Sequence, residues 1–299
     1  MSIRTRFAPS PTGLLHVGNA RAALFCFLFA KKHDGQFVLR LDDTDRERST
    51  QAFADAIQAD LDWLGLKWDE TARQSDRFER YDAVFETLVA QGHVYACYET
   101  PEELERKRKR QLARGKPPVY DRAGLALSAD EKAALEAEGR SAHWRFKLSG
   151  NQVTWRDLVR GEQKIDTASV SDPVIRRADG SWLYTLPSVV DDLDMNISHV
   201  IRGEDHVTNT AAQVELITAL GGEVPEFAHF SLMLGADGSG LSKRLGSLAL
   251  ADLRDSGLEP ISLNAHIARL GSADPVVPAQ TMQEIIDGFD MARLGRAPA

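Results

Sequence analysis

The stretch APSPTGLLHVGN at residues 8–19 constrains the fold more than any other part of the chain. It follows a predicted strand ending at Arg6 and Phe7 and runs into the apolar segment ARAALFCFLFA at 20–30. Strand, Pro/Gly turn and helix in that order leave free backbone N–H groups and the positive end of a helix dipole at the turn, a ready seat for a phosphate. The apolar segment is 11 residues long. A membrane span needs about 20, so the segment reads as a buried helix.

Around this unit the hydrophobic periodicity describes an α/β protein. Residues 3–8 and 36–41 read as a parallel strand pair, with a helix over about 18–33 as the crossover. Residues 49–65 place Phe53, Ile57, Leu61 and Leu64 on one helical side with Gly65 as the stop, and 76–91 is a further helix ending at Gln91-Gly92. The character changes near 96. Charged helices over 101–114 and 128–139 lead to short alternating runs at 143–148, 152–159 and 163–166, read as antiparallel strands. The parallel sheet is expected to resume with WLYTLPSVVDD at 182–192 and HVIRGED at 199–205, followed by a helix over 211–221 and further helices beyond 247. The acidic residues Asp191, Asp192 and Asp194 read as a loop or strand-end cluster. The chain ends at RAPA directly after an amphipathic pattern, which reads as a cut.

At 299 residues, 43% apolar and 27% charged, the chain has room for two domains, or one domain carrying an insertion. No apolar signal region precedes a cleavage site at the N-terminus, so cytoplasm is the simplest expected location, with a monomer as default. Cys26 and Cys97 are too few for a disulfide framework or a zinc site built on several thiolates, and Cys26 reads as a small core hydrophobe.

A net charge of −8 argues against a nucleic-acid partner at face value, but charge distribution matters more than the sum. Residues 101–122 carry eight Lys/Arg against four Asp/Glu, a local excess of four positive charges. The centre of that stretch is five consecutive cations, Arg106, Lys107, Arg108, Lys109 and Arg110. It is either a solvated helix face or a phosphate-contacting patch. A second string, GLSKRLG at 240–246, sits among Gly235, Gly238, Gly240 and Gly246 and offers Lys243 as a mobile cation.

The two strings together resemble the HIGH and KMSKS signatures of class I aminoacyl-tRNA synthetases. FAPSPTG, LHVGN, LRLDDTDRERS, CYETPEEL, PPVYDR, LYTLPSVVDD, HVIRGEDHVTNT and LSKRLGS, in that order, narrow the likeness to a bacterial-type glutamyl-tRNA synthetase. The second signature departs from the family pattern, with Gly240 where the first lysine would stand; Lys243 keeps the second.

The resemblance implies a Rossmann-type parallel sheet over 1–95 and 181–246, interrupted over 96–180 by an α+β insertion that binds the acceptor stem, with a helical stem-contact region over 247–299. It implies activation of L-glutamate by ATP and transfer to tRNA(Glu), with tRNA(Gln) left open as a second acceptor. Thr12, His16 and Lys243 would be catalytic. Ala8, Pro9, His16, Gly18, Asn19, Asp205, Ser242, Lys243 and Arg244 would hold ATP. Glutamate, with two carboxylates and one ammonium, calls for two cations and an anion. Arg6 and Arg202 would be the cations, Asp42 with Ser10 the ammonium seat, and Tyr184 and Ser188 further contacts. Which arginine takes which carboxylate stays open. Arg106 to Arg110 would meet tRNA. Mg²⁺ would arrive with ATP rather than in a protein-held site made by DDTD and GEDH, and zinc is not expected.

Three rivals fit less well. A shortened paralogue that glutamylates a modified base of tRNA(Asp) has a matching length but typically a cysteine-rich zinc site, and here Cys97 stands alone. A non-catalytic tRNA- or ATP-binding fragment would carry damaged ATP motifs, of which the missing first lysine is the one hint. A nucleotidyltransferase with an HxGH-type site has no use for LDDTD, GEDH and an SKR loop together.

Overall fold

The computed structural model describes residues 2–234 and 249–297. In chain order the elements are β1 (Arg4–Phe7), α1 (Val17–Lys32), β2 (Gln36–Leu41), α2 (Gln51–Trp63), β3 (Glu70–Arg73), α3 (Phe78–Ala90) and β4 (Val94–Cys97). Next come α4 (Pro101–Ala113), α5 (Ala123–Ala126), α6 (Ala129–Ala137), β5 (His143–Phe146), β6 (Gln152–Asp157), β7 (Gly161–Asp166) and β8 (Val174–Arg176). The remainder is α7 (Thr185–Asp194), β9 (His199–Gly203), α8 (Val207–Ala219), β10 (Glu226–Phe230), α9 (Leu250–Asp255), α10 (Pro260–Arg269) and α11 (Met282–Gly288).

The main sheet runs β3-β2-β1-β9-β10-β6-β7 and is parallel except for β7. It is a doubly wound arrangement, as the strand–turn–helix start led one to expect. α1 has no polar face over 20–30 apart from Arg21, because it is covered twice: the sheet lies beneath it, and α10 and α11 pack over it. Leu24, Phe25, Leu28 and Ala30 are fully buried, each large side chain contributing roughly 1.5–3 kcal/mol of burial. Gly65 stops α2 as its left-handed φ of 74° requires, with the Leu66 N–H bonded back to the Leu61 carbonyl.

Two expectations change. Residues 182–192 were read as strand, yet 185–194 is the helix α7. Leu186, Val189, Val190 and Leu193 recur at helical spacing and pack against α3 and α8, while Pro187 sits in the first turn, where a missing N–H costs no helical bond. A short apolar run does not distinguish a buried strand from a buried helix, and here packing decides. Asp191, Asp192 and Asp194 are therefore helical residues, not a loop cluster.

The second change concerns the hairpin β6–β7. Residues 96–180 read as one insertion, but β6 pairs in parallel with β10 and β7 forms the sheet's outer edge, so this hairpin belongs to the main sheet. β4, β5 and β8 form a separate antiparallel sheet. No helix among the described residues is long and apolar enough to cross a membrane.

Candidate active site

β1 leads to β2 on one side of the sheet, whereas β9 leads to β10 on the other. The crevice above the carboxyl ends of β1 and β9 is thus the topological switch point, where open α/β sheets take their ligands. A cavity of about 480 Å³ lies there. Its walls bring together Arg6, Ala8, Pro9, Ser10, His16, Gly18, Asn19, Asp42, Tyr184, Arg202 and Asp205, residues that the sequence spreads over two hundred positions. Thr12 is exposed and does not line the cavity. Ser188 is buried behind the wall, 3.5 Å from the Arg40 guanidinium. Ser242, Lys243 and Arg244 lie outside the described residues.

His16 ends the turn and caps α1. Its Nδ1 accepts the Gly18 N–H at 3.1 Å, and the Asn19 side-chain oxygen accepts the His16 N–H at 3.1 Å, a reciprocal capping box. With Nδ1 used as an acceptor, the ring carries its proton on Nε2, free to donate to an anion. Burial pushes the His16 pKa down, so the donor is neutral imidazole. Gly18, placed by the resemblance among the ATP residues, also has a local reason to be glycine. A Cβ there would lie 2.9 Å from His16 Cε1, so the glycine makes room for the imidazole ring of the cap itself.

The floor of the cavity is a buried charge network. Arg6 Nε donates to Asp192 Oδ1 at 2.9 Å, and Arg40 bridges Asp192 (2.7 Å) and Asp42 (2.7 Å). Asp191 accepts from Arg77, Gln74 and Tyr81. Asp43 accepts from the backbone and hydroxyl of Ser75, and Glu204 pairs with Arg160. Burial draws the Asp192 pKa upward, but Arg6 and Arg40 outweigh it and hold the carboxyl below the usual range. For Asp42 burial prevails, and its pKa rises to about 6 despite Arg40. Arg40 was not singled out from the sequence, although a signal existed: it lies near the end of β2, two residues before Asp42, which follows the strand directly.

Arg202 is different. It is buried, and its hydrogen bonds go to His229 Nε2 (3.1 Å), Tyr184 Oη (3.0 Å), Thr210 Oγ1 (2.8 Å) and Gln213 Oε1 (2.6 Å). Among the described residues it makes no ion pair. Burial lowers its pKa, yet a guanidinium stays charged at neutral pH. One Nη1–H has no partner among the described residues and Arg202 lines the cavity, so this is a desolvated cation with capacity for an anion. Thr210, Gln213 and His229 were not read from the sequence; nothing local marks them.

Arg21, also unread, lines the cavity from α1 and donates to the carbonyls of Ser231 (2.6 Å) and Leu270 (2.7 Å), tying the helical C-terminal part to the site. His206 packs on Tyr184, and burial beside Arg202 lowers its pKa to about 4.

Away from the cavity, Arg106 to Arg110 lie on α4. Lys107 pairs with Glu99 and Asp121, and Arg108 with Glu105, while Arg106 and Arg110 are exposed. Cys97 does not stand alone in space: its thiol, Glu99 and His143 present ligand atoms within 4.8 Å of one another. Glu99 is engaged there by Lys107 and Tyr120, and burial raises the Cys97 thiol to about 11.

The comparisons with known proteins agree with this geometry. Residues 2–297 match the model for tRNA synthetases class I (E and Q), catalytic domain. The chain is 60% identical over 297 residues to glutamate–tRNA ligase 1 of Maricaulis maris, covering 99% of this chain and 67% of that protein. It is 59% identical over 297 residues to glutamate–tRNA ligase 2 of a Jannaschia species, covering 99% of this chain and 66% of that one. A crystal structure of a glutamate tRNA ligase from Elizabethkingia meningosepticum, in complex with its amino acid, superposes with a TM-score of 0.88 at 33% identity. That match covers all of this chain and 67% of the solved one, so the chain spans about two thirds of the length of its relatives. With the switch-point cavity and its capped helix terminus in view, the chain belongs to the class I tRNA synthetases (E and Q), as their catalytic domain.

Proposed function

We propose that this chain activates L-glutamate with ATP and passes the glutamyl group to the 3′ end of tRNA(Glu). The observation that carries the reading is Arg202, a buried guanidinium supported by neutral groups and open toward the cavity that His16 also lines. A carboxylate of glutamate completes its coordination, with Tyr184 alongside. Asp42, ionised above about pH 6, faces the same space and receives the substrate ammonium with Ser10. Arg6, which shares its charge with Asp192, is the weaker second cation.

In the first step a substrate carboxylate oxygen attacks the α-phosphorus of ATP; that P–O bond forms as the bond to pyrophosphate breaks. No covalent enzyme intermediate is required, so catalysis is positioning plus stabilisation of charge on the phosphate oxygens. The neutral His16 Nε2–H and the N-terminus of α1 do this for the nucleotide, beside Ala8, Pro9, Gly18, Asn19 and Asp205. In the second step a terminal ribose hydroxyl of tRNA attacks the glutamyl carbonyl and AMP leaves.

Lys243 is assigned to the departing phosphates, with Ser242 and Arg244 near it; Ala249, six residues later, bridges to His16. Thr12 keeps an auxiliary place at the turn. Mg²⁺ belongs to the nucleotide as substrate. The division proposed is a catalytic sheet over 1–95 and 181–246 joined by the hairpin β6–β7, a stem-binding part in the rest of 96–180 presenting Arg106 to Arg110, and helical stem contacts over 247–299, with tRNA(Gln) as a second acceptor to be tested on the whole enzyme.

ATP–pyrophosphate exchange with L-glutamate, run without tRNA, with tRNA(Glu) and with tRNA(Asp), tests this. Exchange stimulated by tRNA(Glu) is expected. Stimulation by tRNA(Asp) alone would make it the base-modifying paralogue, and no exchange with either would make it a binder.

A further inference from the structure

Arg202 does not hold its orientation unaided. His229 lies opposite it in register on β10, fully buried, and accepts its single Nε–H on Nε2. The other ring nitrogen, Nδ1, is 2.5 Å from Oδ2 of Asp157 at the end of β6. Asp157 is itself buried, and its Oδ1 accepts three backbone N–H groups, those of Val159, Arg160 and His229, at 2.9–3.2 Å. Fixed backbone donors therefore lock that carboxylate in rotation. A carboxylate against Nδ1 keeps the ring proton there, which leaves an unprotonated Nε2 to accept from Arg202, with the Thr210 hydroxyl 3.0 Å from the same nitrogen and within 3.2 Å of the His206 carbonyl to which it donates.

This arrangement meets two demands at once. A buried guanidinium needs a compensating negative charge, since an unpaired one is costly. A carboxylate placed directly on Arg202, as Asp192 is on Arg6, would fill the face that a ligand needs. Asp157 supplies the charge from one imidazole away and leaves that face open.

We propose that Asp157 and His229 are positioning residues for the amino-acid substrate, a relay across β6, β10 and β9 that fixes one imidazole tautomer and, through it, the direction in which Arg202 presents its cation. Burial lowers the His229 pKa while Asp157 stays below the usual carboxylate range, in keeping with a neutral ring beside a charged acid. The inference rests on the glutamate reading of the Arg202 face. It also gives the edge hairpin a task, since β6 carries the anchoring acid.

The test compares wild type with Asp157→Asn, His229→Gln and His229→Asn, measuring L-glutamate and ATP affinities by calorimetry and the imidazole tautomer by ¹⁵N NMR. In Asp157→Asn the oxygen stays with the three backbone donors and the amide NH₂ turns to Nδ1, so the ring proton moves to Nε2 and confronts the Arg202 Nε–H. Glutamate Kd should rise roughly 10- to 100-fold, the worth of a hydrogen bond to a charged group, while ATP Kd stays within about three-fold. His229→Gln places an amide oxygen near the Nε2 position and should retain glutamate binding. His229→Asn reaches only the Nδ1 position and should lose it like Asp157→Asn. If Asp157→Asn does not fold, the Gln/Asn pair decides.

Equal glutamate binding in both His229 variants, parallel loss of ATP and glutamate in Asp157→Asn, or a wild-type ring protonated on Nε2 would overturn the relay. Wild type that binds ATP but not glutamate, with the tautomer as described, would overturn the substrate reading instead.

Discussion

Arg6 and Arg202 enter one cavity from adjacent strands, yet they live in opposite surroundings. Arg6 and its neighbour Arg40 are bound up with Asp42, Asp191 and Asp192, so their charges are largely spent within the protein. Arg202 is held by a ring nitrogen, two hydroxyls and an amide, none of them charged. Two arginines in the same pocket are thus not equivalent ligands for an anion. The paired one maintains the floor of the site, and the neutrally held one keeps its electrostatic attraction for an anion.

Breaking the paired side should cost the most. Asp192→Ala leaves Arg6 and Arg40 short of a buried carboxylate and should lower stability by about 3–5 kcal/mol, read from urea unfolding. Arg202→Leu removes the open cation instead. It should weaken L-glutamate binding by about 2–4 kcal/mol in calorimetry and leave the unfolding midpoint much nearer wild type. Similar stability losses in the two variants would erase the distinction.

The finest test is pH. Asp42 is held up at about 6 by burial against an ordinary value of 3.8, so between those values the folded state binds more protons than the unfolded one. Stability should therefore fall as pH rises through that window, while glutamate affinity, which needs the ionised carboxylate, should rise through it. Below pH 6 the affinity should drop by up to about tenfold per pH unit, and Asp42→Asn should flatten the profile.

The turn at the head of α1 was legible because its parts are contiguous: turn, imidazole cap, glycine and helix lie within a dozen residues. The buried status of α1, the helix stop at Gly65 and the parallel pairing of β1 with β2 follow from the same short-range patterns. The local reason for Gly18 was not legible, since only the fold shows that a side chain there would meet the His16 ring. The relay of Asp157 and His229 was not legible at all. Each is an ordinary residue in an ordinary strand, 72 positions apart, and neither carries a local signal.

What the sequence determined alone was the strand–turn–helix unit and its capped helix terminus, because hydrogen bonding at a helix terminus is settled by neighbours along the chain. What only the tertiary structure decided was how charge is shared. Asp192 reaches Arg6 across 186 positions because 185–194 is a helix rather than a strand, and packing made that choice. Pairing between distant side chains depends on which faces meet, so the contrast between a spent Arg6 and an open Arg202 exists only once the sheet is assembled.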